Sequence, residues 1–331
     1  MSLETQALLR PAEVRAIVAA ASRAPSVHNT QPWKIAWDGI VFTVAADTSR
    51  ALAVTDPDHR ELAMSCGAAL YGLRLALRKF GFDSTVELMP TDDPGLLARV
   101  GPKPGIPADA EERLMFAAIS RRHTHRGPFD DRPVSAELAV RLQQAAAEEH
   151  ALLFYLTDPG QRTRLLHLAR AAERELRQDP RVREETEAWT PEPNAGRRDG
   201  IPSTAYAGPQ STNNIDELQA RDLDLGRGIG QLHEPSRRPG TLAVLATERD
   251  DAKAWLVAGQ ALQRLLLTAA RHGAFAAIHS QAVELPHVRA EIRRELSTAA
   301  VAQLVLRLGY AAEATTTPRR AVDAILTDLT D

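Results

Sequence analysis

The sequence predicts an α+β layered fold made of two related halves, with sheets flanked by helices, and three features carry that expectation. Helix-like and strand-like segments alternate without the regular βα unit of a Rossmann array. Two strongly apolar helices, far apart in the chain, align with each other without a gap. No G-x-G-x-x-G follows a strand, and GRGIG at 226 to 230 lacks the strand-before, helix-after context of a dinucleotide site.

Taken in order, PAEVRAIVAAASRA (11 to 24) reads as a helix stopped by Pro25, and KIAWDGIVFTVAA (34 to 46) as a hairpin turning at Asp38-Gly39. Leu62, Cys66, Ala69, Leu70, Leu73, Ala76, Leu77 and Phe80 recur at helical spacing, and Gly81 ends that helix. Asp109 begins a helix built on Leu114, Met115, Ala118 and Ile119, and Ser135 is the N-cap of SAELAVRLQQAAAEE. ALLFYLTD (151 to 158) and TLAVLATE (241 to 248) are short strands rich in branched or aromatic residues. The second apolar helix runs from 252 to 272 and stops at Gly273. LVLRLGYAAEATTTPRRAVDAIL (304 to 326) reads as a strand or a helix followed by a basic loop.

The two apolar helices match at Gly67/Gly259, Ala69/Ala261, Leu70/Leu262, Leu73/Leu265, Leu75/Leu267 and Gly81/Gly273. Apolar helices share Ala and Leu by composition, so the glycines carry most of this match. An internal duplication accounts for it, with halves at 1–108 and 109–331. Within the second half lies WTPEPNAGRRDGIPSTAYAGPQSTNN, 189 to 214, which Pro, Gly, Asn, Ser and Thr punctuate, so it reads as a loop with little regular structure. Trp189, Ile201 and Tyr206 give it something to dock with, so it is expected to be a cover rather than a free linker.

Composition narrows the function. In 331 residues, 40 Lys and Arg stand against 43 Asp and Glu, so no net basic field points to nucleic acid or to an anionic membrane. No apolar run reaches transmembrane length and MSLETQALLRPAEV has no basic start followed by an apolar stretch, which makes the cytoplasm the expected location. The single cysteine, Cys66, excludes an internal disulfide and reads as a buried structural thiol.

Chemistry concentrates in two stretches. RRHTHRGPF (121 to 129) packs three arginines, two histidines and a threonine into six residues, a donor array suited to a phosphate, with a solvated basic patch as the alternative. APSVHNTQPW (24 to 33) is a loop of small polar groups, Ser26, His28, Asn29, Thr30 and Gln31, beside a Trp. There is no second His or Cys cluster to complete a metal site with His123-x-His125, no G-x-S-x-G for a nucleophilic serine, and no pair of carboxylates that stands out for acid/base work.

These pieces resemble the nitroreductase-like flavoprotein family, whose members carry an Arg-Arg-(His/Ser)-Ser/Thr-x-Arg/Lys segment, an Ala-Pro-Ser-x-x-Asn-x-Gln-Pro-Trp segment and a Leu-Gly-Tyr followed by an Arg pair. Here they stand as RRHTHR, APSVHNTQPW and LRLGY with TPRR, in an unusual order. The first ten residues hold no Arg segment, and the second half runs from AAAEE into HALLFYL with no Pro-Ser-x-x-Asn. Complementary losses of this kind resemble the double-length, Acg-like branch; DHRELAMSCGAAL, RRDGIP and SQAVE agree.

The resemblance implies a nitroreductase-like fold, a fused pseudo-dimer that is monomeric in solution, and about one FMN per chain. Arg122, His123, Thr124 and Arg126 would hold the FMN phosphate and ribityl, with Arg319 or Arg320 adding charge. Pro25, Ser26, Val27 and Asn29 would line the isoalloxazine or its ribityl, braced by Gln31 and Trp33, and the Ile278 to Gln281 segment would meet flavin N5. Ser280-Gln281 replaces the Glu-Gly pair usual there. The implied activity is an oxidoreductase that passes hydride from NAD(P)H through FMN to a small acceptor such as a nitroaromatic or quinone, the flavin carrying the chemistry without a catalytic side chain. The other reading is FMN storage under a covered flavin.

Overall fold

The computed structural model describes residues 9–93, 95–193, 195–206, 218, 221–230, 240–311 and 316–330. Of the expected cover, residue 194 and residues 207–214 lie outside them. The first part of the chain runs α1 (Pro11–Ala21), β1 (Trp33–Trp37), β2 (Phe42–Ala46), α2 (Arg60–Lys79), β3 (Phe82–Leu88), β4 (Leu96–Pro104) and α3 (Ala110–Ala118). The remainder adds α4 (Ala136–Ala147), β5 (Leu152–Tyr155), α5 (Pro159–Gln178), α6 (Pro180–Ala188), β6 (Thr241–Thr247), α7 (Ala252–Arg271), β7 (Ala274–His279), α8 (Gln281–Glu284), α9 (Pro286–Glu295), β8 (Val301–Tyr310) and β9 (Leu326–Asp328).

Local chemistry sets the element ends where the sequence places them. Asp38 Oδ1 accepts from the Ile40 and Val41 amides and closes the β1–β2 turn. Asp109 and Glu112 form a capping box at α3, and Ser135 accepts from the Leu138 amide at α4. The segment at 304 onward is a strand. The first helix ends at Ala21, three residues before the expected end, because the carbonyls of Ser22 to Ala24 turn to meet Arg319, described below.

Two sheets form, a mixed one ordered β3-β4-β2-β1-β9 and an antiparallel one ordered β5-β6-β8-β7. Pairing β1 with β5, β2 with β6, β3 with β7 and β4 with β8 gives both sheets the same strand order, with β9 added parallel to β1 at the edge of the first. Each sheet has a register shift in corresponding strands, at Val44/Ala45 and at Leu245/Ala246. In the second sheet, alternation puts Ala243 and Leu245 against α4 and α7, while Leu242 and Val244 face α5 and α9.

Between the sheets α2 and α7 pack on one another. α2 is apolar almost all round, and from Arg60 to Leu77 only Arg74 escapes burial. Cys66 sits within it, fully buried, its Sγ 3.4 Å from the Pro32 carbonyl, and burial pushes its thiol pKa up. The contact between the helices is reciprocal. A Cβ on Gly67 would lie 2.2 Å from the Leu256 carbonyl oxygen, and one on Gly259 would lie 2.0 Å from that of Met64. Each glycine therefore meets the residue three positions before its counterpart, as in a two-fold contact.

Gly67→Ala or Gly259→Ala must push two backbones apart and should cost about 3 kcal/mol in a urea titration. Gly81→Ala, at φ +84° with open space around it, should cost only about 1 kcal/mol.

Candidate functional site

The polar loop of residues 22 to 31 is bent into a conformation that needs outside support. His28, Asn29 and Gln31 all have positive φ, at 46°, 56° and 53°, which is costly for residues with a Cβ. Arg319 supplies the support. Its Nε donates to the Ser22 carbonyl at 2.9 Å, its Nη2 to those of Arg23 and Ala24, and its Nη1 to Asn29 Oδ1 at 3.0 Å and to Thr317 Oγ1 at 2.7 Å. Asn29 spends its amide on the Gly200 and Pro318 carbonyls. Arg320 donates from its backbone to Gln31 Oε1 and from its side chain to the Gln31 and Ala324 carbonyls. The Gln31 amide N–H reaches Ser26 Oγ at 2.9 Å. Trp33 is fully buried beneath the loop, and its Nε1 has no partner among the described residues.

A cavity of about 240 Å³ opens on the other side of this loop. Pro25, Ser26, Val27 and His28 form one wall; Glu61, Met64 and Ser65 of α2 and Leu262 of α7 form its floor; Thr124, His125 and Arg126, with residues 277 to 281, form the wall from the second half. Seven of the expected site residues, Pro25, Ser26, Val27, Thr124, Arg126, Ser280 and Gln281, thus line one space. Asn29, Arg319 and Arg320 stand behind the wall as braces.

Arg122 and His123 are buried next to it. A parallel bridge from Thr124 to Ala276, and the His125 amide on the Ala276 carbonyl at 2.9 Å, fix the 121–126 segment along β7. Arg122 Nη2 donates to the Arg23 carbonyl at 3.2 Å, but its Nε and Nη1 are buried without a partner among the described residues. His123 Nδ1 contacts the Arg121 carbonyl, its ring packs on Phe275 at 4.2 Å, and its Nε2 is orphaned in the same way. Burial first, then Arg23 and Arg126, lower the Arg122 pKa to about 10, and burial lowers Arg126 equally. A guanidinium buried with idle donors is unfavourable on its own, and an oxyanion would satisfy both its charge and its N–H groups. This donor set fits a phosphate; no group of three or more His, Cys, Asp or Glu among the described residues could hold a metal.

Ile201, Tyr206, Arg221 and Leu223 close the cavity from above. Residues 189–206 are tied to the loop by Asn29 and Gly200, by Gln31 Nε2 on the Arg198 carbonyl and by Arg50 on Asp199. Arg227 donates to Thr190, Tyr206 and Leu223 and welds the upper segments together. GRGIG is part of this layer, its Gly228, Ile229 and Gly230 amides all donating to the Asp224 carboxylate.

Residues the sequence left unassigned also face this space. Arg221 Nη1 lies 3.0 Å from His28 Nε2, and its Nη2 holds both oxygens of Glu284. The His28 pKa is driven well below the ordinary value by burial, then by Arg221 and Arg126, so the ring is neutral and Nε2 is the acceptor. Nothing in ELQARDLD distinguishes Arg221. Glu61 had a signal, a charge at the head of a helix with no polar face.

No protein-family model matches the chain. A Mycobacterium tuberculosis H37Rv protein provisionally named NAD(P)H nitroreductase Rv3131 is 30% identical over 312 residues, covering 90% of this chain and 85% of the relative. A second protein of that strain, provisionally named NAD(P)H nitroreductase acg, is 27% identical over 325 residues, covering 94% of each. Among solved structures, a BluB-like flavoprotein of Clostridium difficile 630 shares 13% identity over 64% of this chain and 96% of its own, at a TM-score of 0.42, a likeness too slight to argue from.

Because His28 has a folded-state pKa below its unfolded value of about 6.5, its contribution to stability is complete above that pH and is lost as the pH falls from it. His28→Asn should therefore flatten the decline in urea midpoint between about pH 6.5 and about pH 5.

Proposed function

The chain belongs to the nitroreductase-like family, in its Acg-like branch, and from that premise we propose that it binds one FMN and passes hydride from NAD(P)H to a small acceptor such as a nitroaromatic or a quinone. The observation that carries the reading is Arg122, a buried guanidinium with two idle donors beside an orphaned His123 nitrogen and the desolvated Arg126.

In this reading Arg122, His123, Thr124 and Arg126 hold the phosphate and the ribityl chain. Pro25, Ser26 and Val27 flank the ring, and Ser280 and Gln281 border its reactive edge. Asn29, Arg319 and Arg320 act at one remove, holding the strained loop in place. The bound flavin supplies hydride acceptance and donation. The chain orients the ring, excludes water with Ile201, Tyr206 and Leu223, and sets the local charge.

The matching sheet orders and the reciprocal glycine contact support a duplicated chain folded as a pseudo-dimer. One cofactor per chain also has physical support. The turn after α4 corresponds to the loop after α1, but it ends in Glu148 and Glu149. Glu149 takes Arg74 at 2.6 Å and Arg264 at 3.1 Å, and Glu148 takes Arg264 as well. These carboxylates and their ion pairs border a second, open cavity of about 870 Å³, so the side that would receive a second cofactor presents Glu148 and Glu149 where the first presents small polar groups.

A second reading rests on the upper layer, whose Ile201, Tyr206 and Leu223 line the cavity: a flavin shielded from nicotinamide would be stored rather than turned over. Anaerobic mixing of FMN-loaded protein with NADH or NADPH separates the two. Bleaching of the flavin band on a turnover timescale is expected; reduction by dithionite alone would favour storage. Flavin analysis should give about one FMN per chain, and two would overturn the single-site assignment. Arg122→Ala should weaken FMN retention by about 100-fold or more in equilibrium dialysis, and unchanged loading would overturn the phosphate assignment.

A further inference from the structure

Two buried carboxylates approach the cavity from opposite halves of the chain, and they are held very differently. Glu284 on α8 receives Arg221 on both oxygens and the Ser280 hydroxyl at 2.8 Å. Glu61, in the first turn of α2, is only 4% exposed and lines the cavity. Its Oε1 accepts from Arg60 Nη2 at 2.7 Å, and among the described residues Arg60 is the one cation paired with it.

Arg60 does not depend on this partner. It also donates to the Gln303 carbonyl at 2.7 Å, the Gln303 amide oxygen at 3.2 Å and the Val283 carbonyl, so it stays hydrogen-bonded whether Glu61 is charged or neutral. The groups facing Glu61 are Arg60 and Asp56 from its own half, Glu284 from α8, Arg221 from the upper layer and Arg289 from α9. Burial, then the Glu284 charge, raise the Glu61 pKa above the ordinary carboxylate range against the opposing pull of Arg60.

We propose that Glu61 is the proton donor of this cavity, releasing its carboxyl proton to the oxygen of a quinone-type acceptor as that acceptor takes up a hydride. The inference rests on the oxidoreductase reading above. Reduction of a quinone to a hydroquinone consumes one hydride and one proton. The hydride carries both electrons and comes ultimately from NAD(P)H, which leaves as NAD(P)⁺. At Glu61 an O–H bond breaks and one forms on the acceptor oxygen. The carboxylate left behind is held by Arg60 and recovers its proton from water. His28 cannot take this part, because its neutral ring is held by Arg221 and its titration lies too low.

Glu61→Gln keeps an oxygen for Arg60 and has no acidic proton, so it isolates the transfer. FMN-loaded wild type and variant are reduced anaerobically with dithionite and mixed with menadione in a stopped-flow spectrometer. Flavin reoxidation should be about 100-fold slower in E61Q, and only the wild-type rate should fall as pH rises through the titration of the Glu61 carboxyl. Dithionite keeps the test separate from the choice of donor: failure of NAD(P)H to bleach the flavin would remove the donor assignment and leave these rates to decide Glu61. Equal rates in the two proteins, or no reoxidation of the wild type by menadione, overturn the proposal.

A second measurement needs neither donor nor acceptor. A group whose folded pKa is raised contributes stability below its unfolded pKa and loses it as pH rises through the folded value. Wild type should therefore lose thermal stability relative to E61Q between about pH 5 and about pH 9, and its infrared spectrum at neutral pH should show a protonated-carboxyl stretch that E61Q lacks. Absence of that band overturns the proposal whatever the rates.

Discussion

The contact between α2 and α7 at Gly67 and Gly259 is the constraint from which the rest of the architecture follows. Two helices can approach with backbone against backbone only where neither carries a Cβ at the crossing, and each glycine here lies against the other helix's carbonyl. With both helices buried, their outer faces are left for the sheets, which stand on either side in the same strand order. The start of α2 is thereby carried against the second half, next to β7 and β8. The cavity forms at that junction, so its walls must come from both halves.

Burial of charge then separates structural arginines from those that fit a ligand. A guanidinium has five donors, and how many of them meet protein oxygens is a physical criterion. Arg319 is surrounded by carbonyls from residues 22 to 24 and by Asn29 and Thr317, and it holds a loop with three left-handed residues in four positions. Arg122, more deeply buried and reaching the same loop at Arg23, meets one carbonyl. Both arginines belong to motifs that resemble the same family's phosphate cradle, but only one retains the unspent donors that an anion would need.

The same comparison shows what could be read in advance. Periodicity and capping residues placed the α2 and α7 helices, the hairpin at Asp38-Gly39 and the caps at Asp109 and Ser135, because these depend on interactions within a few residues. Pro25, Ser26, Val27, Thr124, Arg126, Ser280 and Gln281 were legible through motif resemblance, and they do converge on one space. His28 could be seen but not weighed, since its neutral state depends on Arg221, far along the chain. Arg221 had no local signature at all. Its partners, His28 and Glu284, come from different halves of the fold.

By itself, then, the sequence determined the element types, the two matched helices and the residue types able to cradle a phosphate, all consequences of short-range chemistry. Only the tertiary structure decided which arginines hold the loop and which are left with free donors, that Glu61 lines the cavity with Arg60 on one oxygen, and that the carboxylates of the turn after α4 pair with Arg74 and Arg264. The reason is that a donor's partner and a carboxyl's protonation depend on burial and on groups brought together from distant positions. No local pattern encodes either.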